Sequence, residues 1–233
     1  MPSDLDQRLA VVERVLADPP SVHPMDFSTD PTLGVWSTEP DCYRFLAEHC
    51  PPGTRTLETG CGTSTVLFAA FGAAHICCTA GQEEADRVLA DCQARGIPVD
   101  DVRFEVGHSH RTLPALEAAG TTRDLVLIDG SHGFPAPMVD WYYAGALLGK
   151  AGVLVVDDVN LPAVRLLRRF LDQDPRWESL AGTDKWRAWR RLTDGTLSED
   201  WIAQVWYRTR RQRAKQLAQG AITRARKLYR RPR

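Results

Sequence analysis

The chain has 233 residues, 43% of them apolar and 25% charged, with a formal net charge of −1, as expected of a soluble globular protein with room for one α/β domain and extensions. No run approaches the roughly 18 apolar residues of a membrane span, and the N-terminal "MPSDLDQRLAVVERVLADPP" is acidic and unlike a secretory signal. A cytoplasmic protein is expected. An acidic helix is predicted over residues 4–17. The next segment, "DPPSVHPMDFSTDPTLGVWSTEPD", is rich in Pro, Asp, Ser and Thr and reads as an irregular, lid-like loop. Within it Trp36 is a candidate to cover a substrate. A helix at 39–50 follows and stops at "PPG".

From there strands and helices alternate. Strands are predicted at 54–60, 75–80, 102–107, 124–130 and 152–158, with helices at 64–73, 82–95, 111–119, 135–148 and 161–173. The fourth and fifth strands are continuous apolar runs, as in parallel strands covered on both faces. "RWESLAGTD" and "KWRAWRRLT" alternate large apolar and polar residues and suit an antiparallel edge hairpin. The expected fold is α/β: a Rossmann-like, doubly wound, mostly parallel seven-stranded sheet with that edge hairpin and helical extensions at both termini. The expected division is 1–52 for N-terminal helices and loop, 53–195 for the sheet domain and 196–233 for a basic tail.

Six cysteines, at 42, 50, 61, 77, 78 and 92, are irregularly spaced without a C-x-x-C pair, and read as reduced structural thiols. Charge is unevenly spread: eleven of the 29 Lys and Arg lie in residues 201–233, which hold no acid, leaving 18 basic against 30 acidic residues before them. The tail reads as a basic amphipathic helix. Docking on an acidic surface of the same protein or a second copy is favoured over nucleic acid or a membrane surface as its partner.

In an open parallel sheet, ligands bind at the carboxyl ends of the strands. Those ends read "LETGCGTST", "VGHSH", "IDGSHG" and "VVDDVN". Gly60 and Gly62 allow a tight turn and close backbone approach, and Thr63 to Thr65 can cap the following helix. The turn lacks the third glycine of the dinucleotide fingerprint, and Glu58 would repel a pyrophosphate while attracting a sulfonium or ammonium ligand.

"LETGCGTSTVLFA" resembles motif I, E-x-G-x-G, of the class I S-adenosylmethionine-dependent methyltransferases. "LVLIDGSHGF…DWYYAGALLGKAGVLVVDD" resembles the O-methyltransferase branch of that family. The resemblance implies that Glu58, Gly60, Cys61, Gly62 and Ser64 line the methionine and ribose part of S-adenosyl-L-methionine, with Ser109 near the adenine. The acid usual at the end of the second strand is replaced by Thr79, and Glu83 is the candidate that could reach round to the ribose.

Asp129 ends the fourth strand and Asp157 and Asp158 the fifth, and neighbouring strands lie about 4.8 Å apart. Three carboxylates gathered there need a positive charge among them, and Mg²⁺, an oxygen-seeking ion, is the candidate. The resemblance to metal-dependent catechol-type and macrolide-sugar-type O-methyltransferases agrees. It places His132 as general base towards the hydroxyl of a small-molecule substrate. The plainer alternatives are that Asp129 caps its loop or touches the cofactor, that Asp158 caps the next helix, and that His132 bonds a backbone carbonyl. His108 and His110 read as loop residues, and the aromatic "DWYY" at 140–143 as half core. Two rival functions remain. A nucleic-acid methyltransferase anchored by the tail would usually carry (D/N)-P-P-(Y/F) where "DGSH" stands. A non-catalytic nucleoside-binding module would not need polar residues at the fourth and fifth strand tips.

Overall fold

Ser3 and Asp6 begin the first helix by bonding each other's backbone N–H, and α1 runs Asp4–Ala17. The structure, a computed structural model, describes residues 3–23 and 36–194. Helix α2, Pro40–His49, starts on a proline, whose fixed φ suits a first helical turn. Then come β1 Arg55–Thr59, α3 Thr63–Ala70, β2 Ala74–Thr79, α4 Gln82–Ala94, β3 Val102–Val106, α5 Ser109–Ala118, β4 Arg123–Ile128, α6 Ala136–Ala144, β5 Leu148–Val156, α7 Pro162–Leu171, β6 Trp177–Gly182 and β7 Arg187–Arg191.

The seven strands lie in the order β3-β2-β1-β4-β5-β7-β6. The first five are parallel, and β7 runs antiparallel between β5 and β6. This is the expected doubly wound sheet with its edge hairpin. The chain reverses direction across the sheet between β1 and β4, so the tips of β1, β4 and β5 stand side by side. Backbone bonds fix them there: the Asp129 amide donates to Thr59 O at 2.9 Å and the Asp157 amide to Ile128 O at 3.0 Å.

The boundary that differs most is the entry to β5. A helix through 148 was expected, but α6 ends at Ala144, a single 3₁₀ turn covers 145–147, and β5 begins at Leu148. Leu148 pairs with Arg123, and the register then shifts before Leu125 meets Val153. "GKAG" thus forms a strand irregularity, with Ala151 at a left-handed φ of 69°.

The N-terminal helices are not a separate layer. Val12, Val15, Tyr43 and Leu46 join the same buried cluster as Leu67, Phe68, Leu125, Leu127 and Val155, so α1 and α2 share the core of the sheet. All six cysteines are free and buried. The neighbours Cys77 and Cys78 on β2 are both buried because the sheet is covered on both sides at that position. No described helix is long and apolar enough to cross a membrane. The expected basic C-terminal helix and its docking partners lie outside the described residues.

Candidate active site

A cleft of about 750 Å³ opens over the strand tips. Part of its wall is Thr59 to Ser64, the turn between β1 and α3. Gly60 has φ 101°, and a Cβ on it would lie 2.3 Å from the Asp129 carbonyl oxygen. The turn can therefore press against the β4 tip only because that position is glycine. Gly107, His108 and Ser109 border the cleft on the β3 side. His23 and Trp36 stack with ring centroids 4.3 Å apart. Both line the cleft, which puts Trp36 at its mouth, 65% exposed.

Two expected cofactor residues are placed differently. Glu58 is 1% exposed and stands behind the turn rather than on the cleft wall. Its carboxylate accepts from Ser64 Oγ at 2.6 Å and from the Thr65 hydroxyl, and lies 3.0 Å from His75 Nε2. Strand alternation turns Glu58 towards α3, so it holds the turn from within. Glu83, on the outward side of the first turn of α4, is 81% exposed and pairs with Arg87. The next residue, Glu84, lines the cleft instead. It accepts from the Thr79 hydroxyl, and its carboxylate lies 3.4 Å from His23 Nδ1. The His23 contact, then burial in opposition and the Thr79 bond, set its pKa, which is lowered on balance, so Glu84 is a carboxylate at neutral pH.

In the same cleft Asp129, His132, Asp157 and Asp158 come together. His132 Nε2 lies 3.3 Å from Asp158 Oδ2 and 3.7 Å from Asp129 Oδ1. Burial, only partly offset by the His132 contact, raises the Asp129 pKa to about 7. The Asp129 contact raises that of His132, against burial. Asp157 is 2% exposed, with Oδ1 accepting from Thr38 Oγ1 at 2.6 Å. Asp158 is not a helix cap: α7 is preceded by Leu161, with no side-chain capping bond. It sits instead at a left-handed φ of 52°, which aspartate tolerates better than most residues.

Two site residues carry no sequence motif. Lys185, in the turn between β6 and β7, places Nζ 3.6 Å from Asp157 Oδ2 and 3.4 Å from Asp158 Oδ1. Only the strand order, with β7 beside β5, reveals that this turn stands next to the β5 tip. Asp140, on α6, is fully buried behind the β4 loop, close to Thr59 and Gly130. Burial raises its pKa, with Ser109 and Thr59 opposing. A carboxyl whose folded pKa exceeds its unfolded value makes the fold less stable as pH rises between the two, and the loss then persists. Asp140→Asn is therefore expected to melt a few degrees above wild type at pH 8 and near it at pH 4. Thermal melts at both pH values check this, and an advantage that shrinks with rising pH would contradict it.

Residues 57–159 match a family model described as a methyltransferase domain. No curated protein matches the sequence. Among solved structures, the fold is similar to cofactor-bound Rv0187 from MTB, at TM-score 0.55 and 21% identity over 84% of this chain and 92% of that one. An O-methyltransferase from Bacillus cereus in complex with SAH gives TM-score 0.54 and 19% identity, over 83% and 92% of the two chains. SAH-bound Podospora anserina methyltransferase PaMTH1 gives 0.55 and 17%, over 83% and 89%.

Proposed function

We propose that this chain, whose residues 57–159 match a methyltransferase-domain model, transfers a methyl group from S-adenosylmethionine to a hydroxyl of a small molecule, with His132 as general base. The observation that carries this reading is that one cleft holds both the glycine turn at Gly60–Ser64 and a histidine flanked by two carboxylates.

The methionine end of the donor would lie along Gly60, Cys61, Gly62 and Ser64, the ribose hydroxyls on Glu84, and the adenine beside His108 and Ser109. Acids outnumber fixed cations on this wall, with Asp129, Asp157, Asp158 and Glu84 against Lys185. The field thus favours a sulfonium, and the attraction first expected of Glu58 comes mainly from Asp158 and Glu84, since burial raises the pKa of Asp129 and Asp157. The donor supplies an activated methyl. His132 Nε2 accepts the proton of the substrate hydroxyl, the oxygen forms its bond to the methyl carbon as the carbon–sulfur bond breaks, and Asp129 and Asp158 stabilise the imidazolium that results.

A divalent cation on Asp129, Asp157 and Asp158 fits these residues poorly. Asp157 has one oxygen on Thr38 and the other near Lys185. The ligand atoms that do converge within 4.8 Å are those of Asp129, His132 and Asp158, and a histidine committed to a metal cannot also act as base. A double and a single positive charge about 4 Å apart repel by roughly 8 kcal/mol at an effective dielectric constant of about 20, so Lys185 opposes a metal on Asp158.

Calorimetric titration with S-adenosylmethionine, followed by a methyl-transfer screen over phenols, catechols and sugars, tests the reading. Absence of donor binding would overturn it, and transfer only to nucleic acid would reassign the substrate. Glu84→Ala is expected to weaken donor binding about 10- to 100-fold, the equivalent of lost hydrogen bonds to a charged group, while Glu83→Ala leaves it unchanged. Equal affinities for the two variants would remove Glu84 from the ribose site.

A further inference from the structure

The floor of the cleft is a row of alternating charge. Thr38 holds Asp157, Asp157 faces Lys185, Lys185 faces Asp158, Asp158 faces His132 and His132 faces Asp129. Each side chain in the row neighbours groups of opposite or complementary charge, and Lys185 is its one permanent cation. We propose that Lys185 is the resident cation of this floor. Its ammonium takes the electrostatic place of a divalent metal, so that methyl transfer proceeds without added metal. This inference rests on the methyl-transfer reading of the cleft and names the group that balances its carboxylates.

The backbone around Lys185 is anchored on both sides, which is what a fixed charge requires. The Val159 amide donates to Lys185 O at 2.7 Å, tying the turn to the segment after β5. The Lys185 amide donates to Thr183 Oγ1 at 3.0 Å, and the Thr183 hydroxyl donates to Glu39 at the start of α2. Trp186, the next residue, is buried against Phe45. From this turn the side chain extends over the β5 tip, where Nζ also donates to Ser37 O at 3.2 Å. Three elements therefore meet at the ammonium: the β6–β7 turn, the end of β5 and the segment before α2.

A lysine serves this purpose where a bound ion otherwise would, because an ammonium held by two carboxylates keeps its charge and brings no exchangeable water. It leaves His132 free to take a proton, since the imidazole is not drawn off as a ligand. It also sets a positive charge beside the position where a substrate oxygen becomes negative.

The experiment compares wild type, Lys185→Met and Lys185→Arg in two assays. Mg²⁺ and Mn²⁺ are titrated into each by calorimetry, and methyl transfer is measured with excess EDTA and with added Mg²⁺. Wild type is expected to bind neither ion at millimolar concentration and to turn over equally with EDTA and Mg²⁺. Lys185→Met, with its carboxylates uncompensated, is expected to bind Mn²⁺ at least about tenfold more tightly than wild type and to lose about tenfold or more in rate. Lys185→Arg keeps the charge and is expected to remain indifferent to metal, which holds the test open if the methionine variant fails to fold. Wild-type turnover abolished by EDTA, or metal affinity unchanged in Lys185→Met, would overturn the proposal. If no substrate is methylated by any of the three, the functional reading fails while calorimetry still decides the charge role of Lys185.

Discussion

Replacing His132 by alanine is expected to lower the rate of methyl transfer by about 10²- to 10⁴-fold, the range a positioned general base contributes, with little change in donor affinity. His132 lines the same cleft but is not part of the glycine turn, so its loss is expected to remove proton acceptance while leaving the proposed donor contacts of that turn in place. The base form of a histidine exists above its pKa, and His132 has that pKa raised, mainly by Asp129. Wild-type rate is therefore expected to climb with pH through a midpoint above the ordinary histidine value of about 6.5. Asp158→Asn, which removes one of the carboxylates beside the ring, is expected to move that midpoint downwards while keeping measurable activity. Rates across pH 5 to 9 for the two variants provide the check. A His132→Ala rate within a few fold of wild type would remove the residue from the chemistry, and an unmoved midpoint in Asp158→Asn would separate Asp158 from it.

Periodicity made the parallel sheet legible because each strand and helix between 54 and 173 is long enough to carry its own pattern, and the rule that ligands bind at carboxyl ends then selected the tips. Asp129, His132, Asp157 and Asp158 do assemble in one cleft. Harder to read was the direction of single side chains within a turn of helix. Glu83 and Glu84 are adjacent and chemically alike, and only the rotation of α4 against the sheet puts Glu84 inside and Glu83 out. The direction of Glu58 was hard to read for a related reason: a carboxylate at a strand tip faces either the cleft or the helix that follows, and the hydroxyls of Ser64 and Thr65 with the imidazole of His75 determine which. His75 belongs to another strand, and the Glu58↔Cys77 register that brings it close is set by pairing, not by local sequence. Lys185 escaped because its role comes from topology. A lysine in a hairpin turn reads as solvent-exposed until β7 is known to insert between β5 and β6.

The buried pair behind the glycine turn carries the largest expected effect on stability. Glu58 and His75 are 1% exposed each, and the imidazole bridges the Glu58 carboxylate to Thr56, whose Oγ1 lies 2.7 Å from Nδ1. Its ring also stacks on Phe68 at a centroid distance of 4.7 Å. His75→Ala removes all three contacts, leaves a void beside Phe68 and strips a buried carboxylate of one partner, changes that together destabilise by about 3–5 kcal/mol. For a chain of this size each kcal/mol shifts the melting temperature by about 2–4 °C, so a fall of roughly 6–20 °C is expected. Glu58→Leu should be comparably damaging, because Ser64 and Thr65 lose their acceptor at the start of α3. The two residues share one network, so the double variant should melt well above the sum of the single losses. The turn that Glu58 ties down lines the cleft and is proposed to hold the methionine end of the donor, so each single variant is expected to bind S-adenosylmethionine more weakly even where it remains folded. Thermal melts of both singles and the double measure the coupling. Strictly additive losses, or single variants with wild-type donor affinity, would mean that Glu58 and His75 stabilise the core without shaping the turn.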